Sequence, residues 1–579
     1  MPESKAYQRG DIIGQKYEVF GVVGKGGFGV VYLVYSHEAE SVLALKTFQD
    51  EYLDDPETRV LFRKEAQVWV DLERHPYLVR AYFVDEISGR LYIAMEYIAP
   101  DEGCPNTLQG YLDRRPPDLT QSLRWAIQFC HGMVYAYSKG VRCHRDIKPA
   151  NIMISQDKTV KISDFGLAGV LGASKAVSGI RLNIQEGKVG LSFRTLGGQG
   201  IGTPTHMPLE QFYDVAFCDQ RSDIYAFGVV LFQMASGGKL PFLPAPPKDN
   251  SHAEHLRFWQ EIQRLHEHAP VPELSSPLFP IIQRCLVKMP EGRYQSFNEL
   301  RNVLEELLRQ QTGEVIRLPE REELVVWEWN SKGVSLNNLG LYNEAIGCFD
   351  RALKLGPQDS RIWDNKGVSL FNLGRYDDAI RCYDKAIELD PLTTKAWNNK
   401  GSSLGSLGRY DEAFKCFDKA VLLDPTNACA WSNKGGSLHD LGRHKEAIQC
   451  FDNALMLDPS YASAWYNKGH CFHSLGLYDE AIRCYDKAIE FNTHYVSAWY
   501  NKGNILCNLN RHDEAIHCYD KALELDPRDA EAWYNKALSE DILGRRQDAV
   551  RSFKQFLVLA PAQLAKPIAH ARQRLKELE

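Results

Sequence analysis

The chain has 579 residues, 44% of them hydrophobic and 25% charged, with a net charge of −7. Those proportions are ordinary for globular domains and exclude an intrinsically disordered, collagen-like or mainly membrane-embedded chain. There is no basic excess to suggest nucleic acid or an anionic membrane surface as a partner, and 14 cysteines are too few for a disulfide scaffold.

At about 150 residues per domain, the length corresponds to roughly four domain equivalents. Met1 to Asp11 is polar and carries no secretory signal. The longest strongly apolar run, Ile224 to Ala235, is interrupted by Tyr225 and Gln233, and it falls short of the about 20 apolar residues a membrane span needs. The expectation is a cytoplasmic protein with reduced thiols.

The first half reads as strand-rich and then helix-rich. Strands are expected at Tyr17 to Gly24, Gly29 to Tyr35, Ser41 to Phe48 and Leu91 to Tyr97. A helical stretch runs from Glu57 to Leu72, and helical patterns return from Thr107 through Tyr137 and from Arg221 through Met234. Gly24, Gly26 and Gly29 form G-x-G-x-x-G between the first two strands. A dinucleotide fold needs a helix next, whereas Val30 to Tyr35 is strand-like. A glycine hairpin between strands lets backbone amides approach phosphate oxygens, although the pattern alone also fits a plain tight turn. The strand Val42 to Lys46 ends in a lysine that in isolation reads as a surface charge, and Glu65 in isolation reads as solvent-facing.

His144-Arg145-Asp146-Ile147-Lys148-Pro149-Ala150-Asn151 is followed, thirteen residues after Asn151, by Asp164-Phe165-Gly166. With the glycine loop and the lysine in that order, the segment from about Tyr17 to Leu308 resembles a eukaryotic-type serine/threonine protein kinase, of the kind also found in bacteria. The resemblance implies an ATP site made of Val23, Gly24, Lys25, Gly26, Gly27, Phe28, Gly29, Val30 and Val31. Val31 and Ala44 sandwich the adenine, Met95 guards the back of the pocket, and Glu96 to Ile98 offer backbone hydrogen bonds to the base. It further implies that Lys46 binds the α- and β-phosphates, held by Glu65. Asp164 and Asn151 hold Mg²⁺ (or Mn²⁺), Asp146 accepts the substrate hydroxyl's proton, and Lys148 stabilises the transferring phosphoryl group. A lysine two residues after the catalytic aspartate is the serine/threonine variant. Asp223 matches the buried aspartate that braces the catalytic loop, and Arg293 the arginine that pairs with the glutamate closing the activation segment, here Glu210.

Departures from the family pattern fall in that segment, 164–210, which at 47 residues is long for the family. The family's A-P-E reads Pro208-Leu209-Glu210, and the usual upstream tyrosine is His206. Arg145 beside the catalytic aspartate implies control by a phosphorylated residue. Gln199 occupies the common position, which leaves Ser192, Thr195 and Thr203 as candidate phosphosites. Thr203 fits better as a hydrogen-bond partner of Asp146 and Lys148.

Thr312 to Arg321 is polar and reads as a linker. Beyond it a tryptophan recurs every 34 residues, at Trp329, Trp363, Trp397, Trp431, Trp465, Trp499 and Trp533. Alanine (Ala345, Ala379 and onward) and an aromatic residue (Phe349, Tyr383 and onward) keep the same period, and prolines close most units. The pattern resembles the tetratricopeptide repeat family. Each unit reads as a helix from the tryptophan to the leucine ten residues on, a glycine stop, and a second helix ended by proline. Asn510 replaces the turn glycine in one unit, and Thr493 stands where proline is expected in another, which implies a looser junction there. Cys348, Cys382, Cys416, Cys450, Cys484 and Cys518 also recur, and they read as buried packing rather than a ligand set. The periodic lysines, such as Lys400 and Lys434, read as a solvated row. The asparagines before them, such as Asn399 and Asn433, are the candidates for clamping a peptide on the concave face.

The expected architecture is an α+β bilobal kinase fold followed by an all-α tetratricopeptide superhelical solenoid. Its divisions are an extension at 1–16, the kinase domain at 17–308, a linker at 309–325, seven repeats at 326–561 and a capping helix at 562–579. The expected function is ATP-dependent phosphorylation of Ser and Thr hydroxyls on protein substrates. Protein or peptide partners would bind the repeats, with no nucleic acid and no membrane span. The alternatives are a pseudokinase scaffold and a repeat adaptor for chaperones or partner peptides. Each repeat tryptophan is expected to bury roughly 150–250 Å², so that Trp431→Ala costs about 3–5 kcal/mol.

Overall fold

The computed structural model describes residues 7–25, 29–48, 56–87, 89–101, 105–165, 204–213, 217–245, 252–318 and 323–579. Expected features at Gly26, Gly27, Phe28, Gly166, Ser192, Thr195 and Thr203 lie outside these residues. The chain divides into two compact units, Met1–Gly356 and Pro357–Glu579.

The first unit opens with strands β1 (Ile12–Ile13), β2 (Tyr17–Lys25), β3 (Gly29–Ser36) and β4 (Ser41–Phe48), then helix α1 (Pro56–Asp71). Strands β5 (Ala81–Ile87) and β6 (Arg90–Glu96) complete an antiparallel sheet of order β1-β2-β3-β4-β6-β5. Alternation along the strands sends Tyr17, Val19, Val30, Tyr32, Val34, Leu43, Leu45, Tyr92 and Ala94 into one core.

Helices α2 (Leu108–Arg114) and α3 (Leu119–Ser138) replace the single expected pattern over 107–137. Pro116 and Pro117 break it, since proline removes a donor and clashes with the preceding turn. Thr107 and Asp118 cap the two starts, accepting from the amides of Gly110 and Gln121. A short hairpin, β7 (Ile152–Ile154) with β8 (Val160–Ile162), follows. Then come α4 (Leu209–Tyr213), α5 (Gln220–Ser236), α6 (His252–His268), α7 (Phe279–Cys285) and α8 (Phe297–Thr312). The apolar run 224–235 lies within α5 and is buried through Met234. Helix α8 continues to Thr312, where Gly313 ends it in the left-handed conformation (φ 75°).

The first repeat, α9 (Val326–Asn338) and α10 (Tyr342–Leu355), belongs to this unit. The packing boundary therefore falls after Gly356 rather than in the expected 309–325 linker. The reason is the exposed edge of β5, whose backbone groups need partners. Val84 N–H donates to the Ser335 hydroxyl at 2.8 Å, and the Asn338 amide donates to the Val84 carbonyl at 3.0 Å. Buried Glu328 pairs with Arg80, and Lys332 with Glu73 at 2.7 Å. Arg63, on α1, donates to the Leu339 carbonyl at 3.1 Å.

The second unit consists of six helix pairs and a final helix. The pairs are α11 (Ser360–Asn372) with α12 (Tyr376–Leu389), α13 (Thr394–Ser406) with α14 (Tyr410–Leu423), and α15 (Ala428–Asp440) with α16 (His444–Leu457). They continue as α17 (Ala462–Ser474) with α18 (Tyr478–Phe491), α19 (Val496–Asn508) with α20 (His512–Leu525), and α21 (Ala530–Ile542) with α22 (Arg546–Leu559). Helix α23 (Ala565–Leu578) closes the chain. First helices begin three residues before the tryptophan, earlier than expected. Gly442 (φ 74°) and Asn510 (φ 58°) both adopt the left-handed turn conformation.

The periodic tryptophans are only half-buried. Each indole of this unit donates to the carbonyl six residues earlier, for example Trp431 to Pro425 at 2.9 Å. The bond is longest, 3.3 Å, where Thr493 replaces proline. The fully buried ring is the aromatic of the second helix, seated on a glycine of the first. A Cβ at Gly435 would lie 2.9 Å from the Phe451 ring. The periodic lysines are not a solvated row: Lys400, Lys434, Lys468, Lys502 and Lys536 pair with Asp384, Asp418, Asp452, Asp486 and Asp520 at 2.5–2.6 Å. Four of the asparagines bridge adjacent first helices. Asn399 donates to Asp364 (2.9 Å), Asn433 to Asn398 (3.0 Å) and Asn501 to the Tyr466 hydroxyl (2.8 Å). The periodic cysteines are buried among the helices, as expected.

The burial order corrects the stability expectation. Phe451→Ala is expected to cost about 3–5 kcal/mol and half-buried Trp431→Ala about half of that. Amide exchange of α15 and α16 measures both, local probes being suited to a repeat array. Ser335→Ala is expected to accelerate exchange at Val84 and to cost about 1–3 kcal/mol by leaving its amide without an acceptor.

Candidate functional site

The site lies where the sheet face opposite the Tyr32 core meets the loops flanking β7 and β8. Val31 pairs with Lys46, and Ala44 with Met95, in the β3–β4–β6 register. Ala44, Met95 and Ile98 are buried. Val30, expected to touch the nucleotide, points into the opposite core with Tyr32 and Val34. The period of two along β3 separates it from Val31. Gly24 and Lys25 end β2, and Gly29 begins β3, where a Cβ would meet the Thr47 carbonyl at 3.2 Å. Val23 and Lys25 are exposed. Glu96 uses its N–H on the Arg80 carbonyl and its carboxylate on Lys161.

Lys46 Nζ lies 2.5 Å from Glu65 Oε1 and 2.8 Å from Asp164 Oδ1. Burial works against this ammonium, but the carboxylates of Asp164 and Glu65 outweigh it and raise its pKa. The same ammonium holds the Asp164 carboxyl down to about 2. Glu65 is thus a buried, paired residue rather than a solvent-facing one. One turn on along α1, Trp69 packs edge-on against Phe165 with ring centroids 5.3 Å apart, and Phe165 packs on His144 at 4.7 Å. This Trp69–Phe165–His144 stack was not anticipated, although Trp69 four residues after Glu65 shares its helix face.

The loop before β7 is braced from below. Asp223 accepts from the amides of His144 (2.6 Å) and Arg145 (2.9 Å), and also from the Tyr137 hydroxyl. Arg145 (φ 67°) and Asp164 (φ 63°) both sit in the left-handed region, uncommon for residues with side chains. Asp146 Oδ2 accepts from Lys148 Nζ at 2.7 Å and Asn151 Nδ2 at 2.9 Å. Asn151 Oδ1 and the second Asp164 oxygen are hard-oxygen donors, the kind that divalent cations take.

The segment's end is anchored by Glu210, which takes both Arg293 Nη1 (2.6 Å) and Nη2 (3.1 Å). Gln211 donates to the Arg145 carbonyl at 2.9 Å. His206, in place of the family's tyrosine, meets Gln233 Oε1 at 2.8 Å, and burial lowers its pKa to about 4.

Comparison with known proteins now bears on this arrangement. The protein kinase domain family matches residues 17–306. Tetratricopeptide repeat families match 330–392, 365–428, 462–495, 496–529 and 518–551, and a TPR repeat family matches 435–476. The fold class is accordingly an α+β kinase fold followed by an all-α tetratricopeptide solenoid. Serine/threonine-protein kinase PknD of Chlamydia felis is 31% identical over 310 residues, 51% of this chain and 31% of that protein. Serine/threonine-protein kinase PknB of Mycobacterium leprae is 30% identical over 312 residues, 53% of this chain and 45% of that protein. The chain spans less than half the length of either curated relative. Two solved structures are also similar: MamA (29% identity, 28% of this chain, 96% of that one, TM-score 0.26) and YrrB (26%, 32%, 97% and 0.28). No helix among the described residues is long and apolar enough to cross a membrane.

The buried histidine has a pH consequence. Its folded value of about 4 lies below the about 6.5 of an exposed imidazole, so the unfolded chain binds the extra proton between those values. Stability is full above about pH 6.5 and falls as the pH drops toward 4, with about 2 kcal/mol lost at pH 5 from this group. Denaturant unfolding of wild type and His206→Gln, each referenced to its own value at pH 7, is expected to show a shallower acid loss in the variant.

Proposed function

This chain belongs to the protein kinase family, and on that premise we propose that it transfers the γ-phosphoryl group of ATP to serine and threonine hydroxyls of protein substrates. The observation that carries the reading is Lys46 held between Glu65 and Asp164, while Asp146 is oriented by Lys148 and Asn151. The lysine-two-after-aspartate pattern supports alcohol rather than phenol acceptors and the class of non-specific serine/threonine protein kinases.

In this reading Lys46 binds the α- and β-phosphates from a position fixed by Glu65. Gly24 and Gly29 bring the backbone of the hairpin close to the phosphates. Val31 and Ala44 cover the adenine, and the stretch from Glu96 to Ile98 presents its edge. Asp146 accepts the proton of the incoming hydroxyl, and Lys148, 2.7 Å from it, lies within reach of the transferring group. Asp164 and Asn151 hold Mg²⁺ or Mn²⁺ through their hard oxygens. The metal, when bound, neutralises phosphate charge and aligns the transfer. Regulation by a phosphate at Ser192, Thr195 or Thr203, read by Arg145, remains part of the proposal.

The repeats recruit protein or peptide partners. Four of their asparagine amides already bridge neighbouring helices, so recognition also draws on other exposed residues of the first helices. The buried thiols support a reducing compartment, the cytoplasm. Label transfer from radiolabelled ATP with Mg²⁺ tests the enzyme reading. Asp146→Asn is expected to lose about 10²–10⁴ in rate, and Lys46→Met comparably. Equal labelling by wild type and both variants leaves only a scaffold.

A further inference from the structure

We propose that His439, His444 and Cys471 form a binding site for a divalent transition metal of the zinc class at the junction of the fourth and fifth repeats. His439 lies on α15, His444 begins α16 and Cys471 lies on α17, so the three donors come from three helices. His439 Nδ1 is 3.1 Å from His444 Nδ1 and 3.2 Å from Cys471 Sγ, and all three atoms lie within 4.8 Å of one another. Tetrahedral zinc, with bonds of about 2.0–2.1 Å to nitrogen and about 2.3 Å to sulfur, spaces its donors by about 3.3–3.6 Å. Shifts of a few tenths of an ångström bring the two measured pairs to that spacing, and the third pair, within 4.8 Å, closes by about 1.2 Å at most. Imidazole nitrogen with thiolate is a donor set that suits zinc over magnesium or calcium. The next imidazole is His470, its ring centroid 4.7 Å from that of His439. Binding forms bonds from two nitrogens and a sulfur to the metal, and releases the Cys471 thiol proton to solvent.

A second observation comes from the chain's own repetition. The position of Cys471 is serine in five other repeats, at Ser335, Ser369, Ser403, Ser437 and Ser539. The position of His444 is tyrosine in four, at Tyr342, Tyr376, Tyr410 and Tyr478, and histidine again at His512. The position of His439 is Asn337, Phe371 and Gly405 in the first three repeats and His473, Cys507 and Asp541 in the last three. Histidine recurs in both registers elsewhere, but only at this junction do two histidines meet a cysteine in the serine position. Cys471 is also outside the periodic set of packing cysteines. A bound ion would tie α15, α16 and α17 together across two repeats.

The full chain, stripped with chelator and kept in excess Mg²⁺ to occupy oxygen sites, is titrated with Co²⁺ and followed by absorption. One equivalent is expected to give tetrahedral bands with thiolate-to-cobalt charge transfer, displaced by Zn²⁺. Cys471→Ser and His444→Tyr insert residues the repeat itself uses, so the fold is retained, which circular dichroism checks. Both are expected to weaken binding at least about tenfold, Cys471→Ser with loss of the thiolate band, while Cys484→Ser keeps it. Absence of a tetrahedral spectrum overturns the proposal, as does a thiolate band that survives Cys471→Ser or disappears in Cys484→Ser.

Discussion

Lys46 Nζ stands within 2.8 Å of two carboxylates, one from α1 and one from the turn after β8. Burial alone would discharge this ammonium, and each carboxylate alone would resist burial beside a neutral lysine. Together they stabilise one another, and removing Glu65, the more buried of the two carboxylates, leaves the ammonium undercompensated at a cost above that of a surface pair. The constraint reaches beyond the pair. Glu65 arrives only if α1 lies against the sheet, and Asp164 arrives only if the turn after β8 accepts a left-handed backbone. The Trp69–Phe165–His144 stack meets both demands, because it ties α1 to that turn and to the loop carrying Asp146.

Asp223 performs the corresponding service for the loop itself. A left-handed Arg145 is a strained choice for a residue with a side chain. It persists because the preceding amides have a buried acceptor aimed at them, fixed to α5 by the helix's own capping box at Asp219 and Ser222. The geometry of the site is therefore a consequence of buried charge and backbone hydrogen bonding held by the core, which is why its parts lie on four separate segments.

Much of this was legible in the sequence. Lys46 meets Glu65 and Asp164, Asp146 meets Asn151, and Glu210 meets Arg293, contacts that the order and spacing of the motifs implied. The helix period and its glycine stops were equally readable, since a turn in the left-handed region narrows the choice of residue. What escaped was whatever depends on distant partners. Val30 and Val31 differ only in which face of β3 they occupy, and that is fixed by the register with β4. The strands of the hairpin β7–β8 are only three residues long and lack strong flanking signals. The periodic lysines looked solvated because their aspartates sit on neighbouring helices sixteen residues away, as Asp418 does for Lys434.

The repeats also show how to read a periodic sequence for exceptions. The residue before the tryptophan is Ile362 or alanine in six units, where it is buried against its neighbours, but Glu328 in the first. A carboxylate there would be costly in an ordinary repeat. In this one it meets Arg80, whose guanidinium lies over Tyr82 and Trp327 at 4.8 and 5.2 Å, at the edge of the sheet. The exception marks where a repeat packs against something other than a repeat, and it explains why the first helix pair belongs to the kinase unit despite its sequence. Periodicity specifies the common scaffold, so departures from it carry the information about what each position touches. The Cys471 junction is argued from the same principle, with a metal in place of a sheet edge.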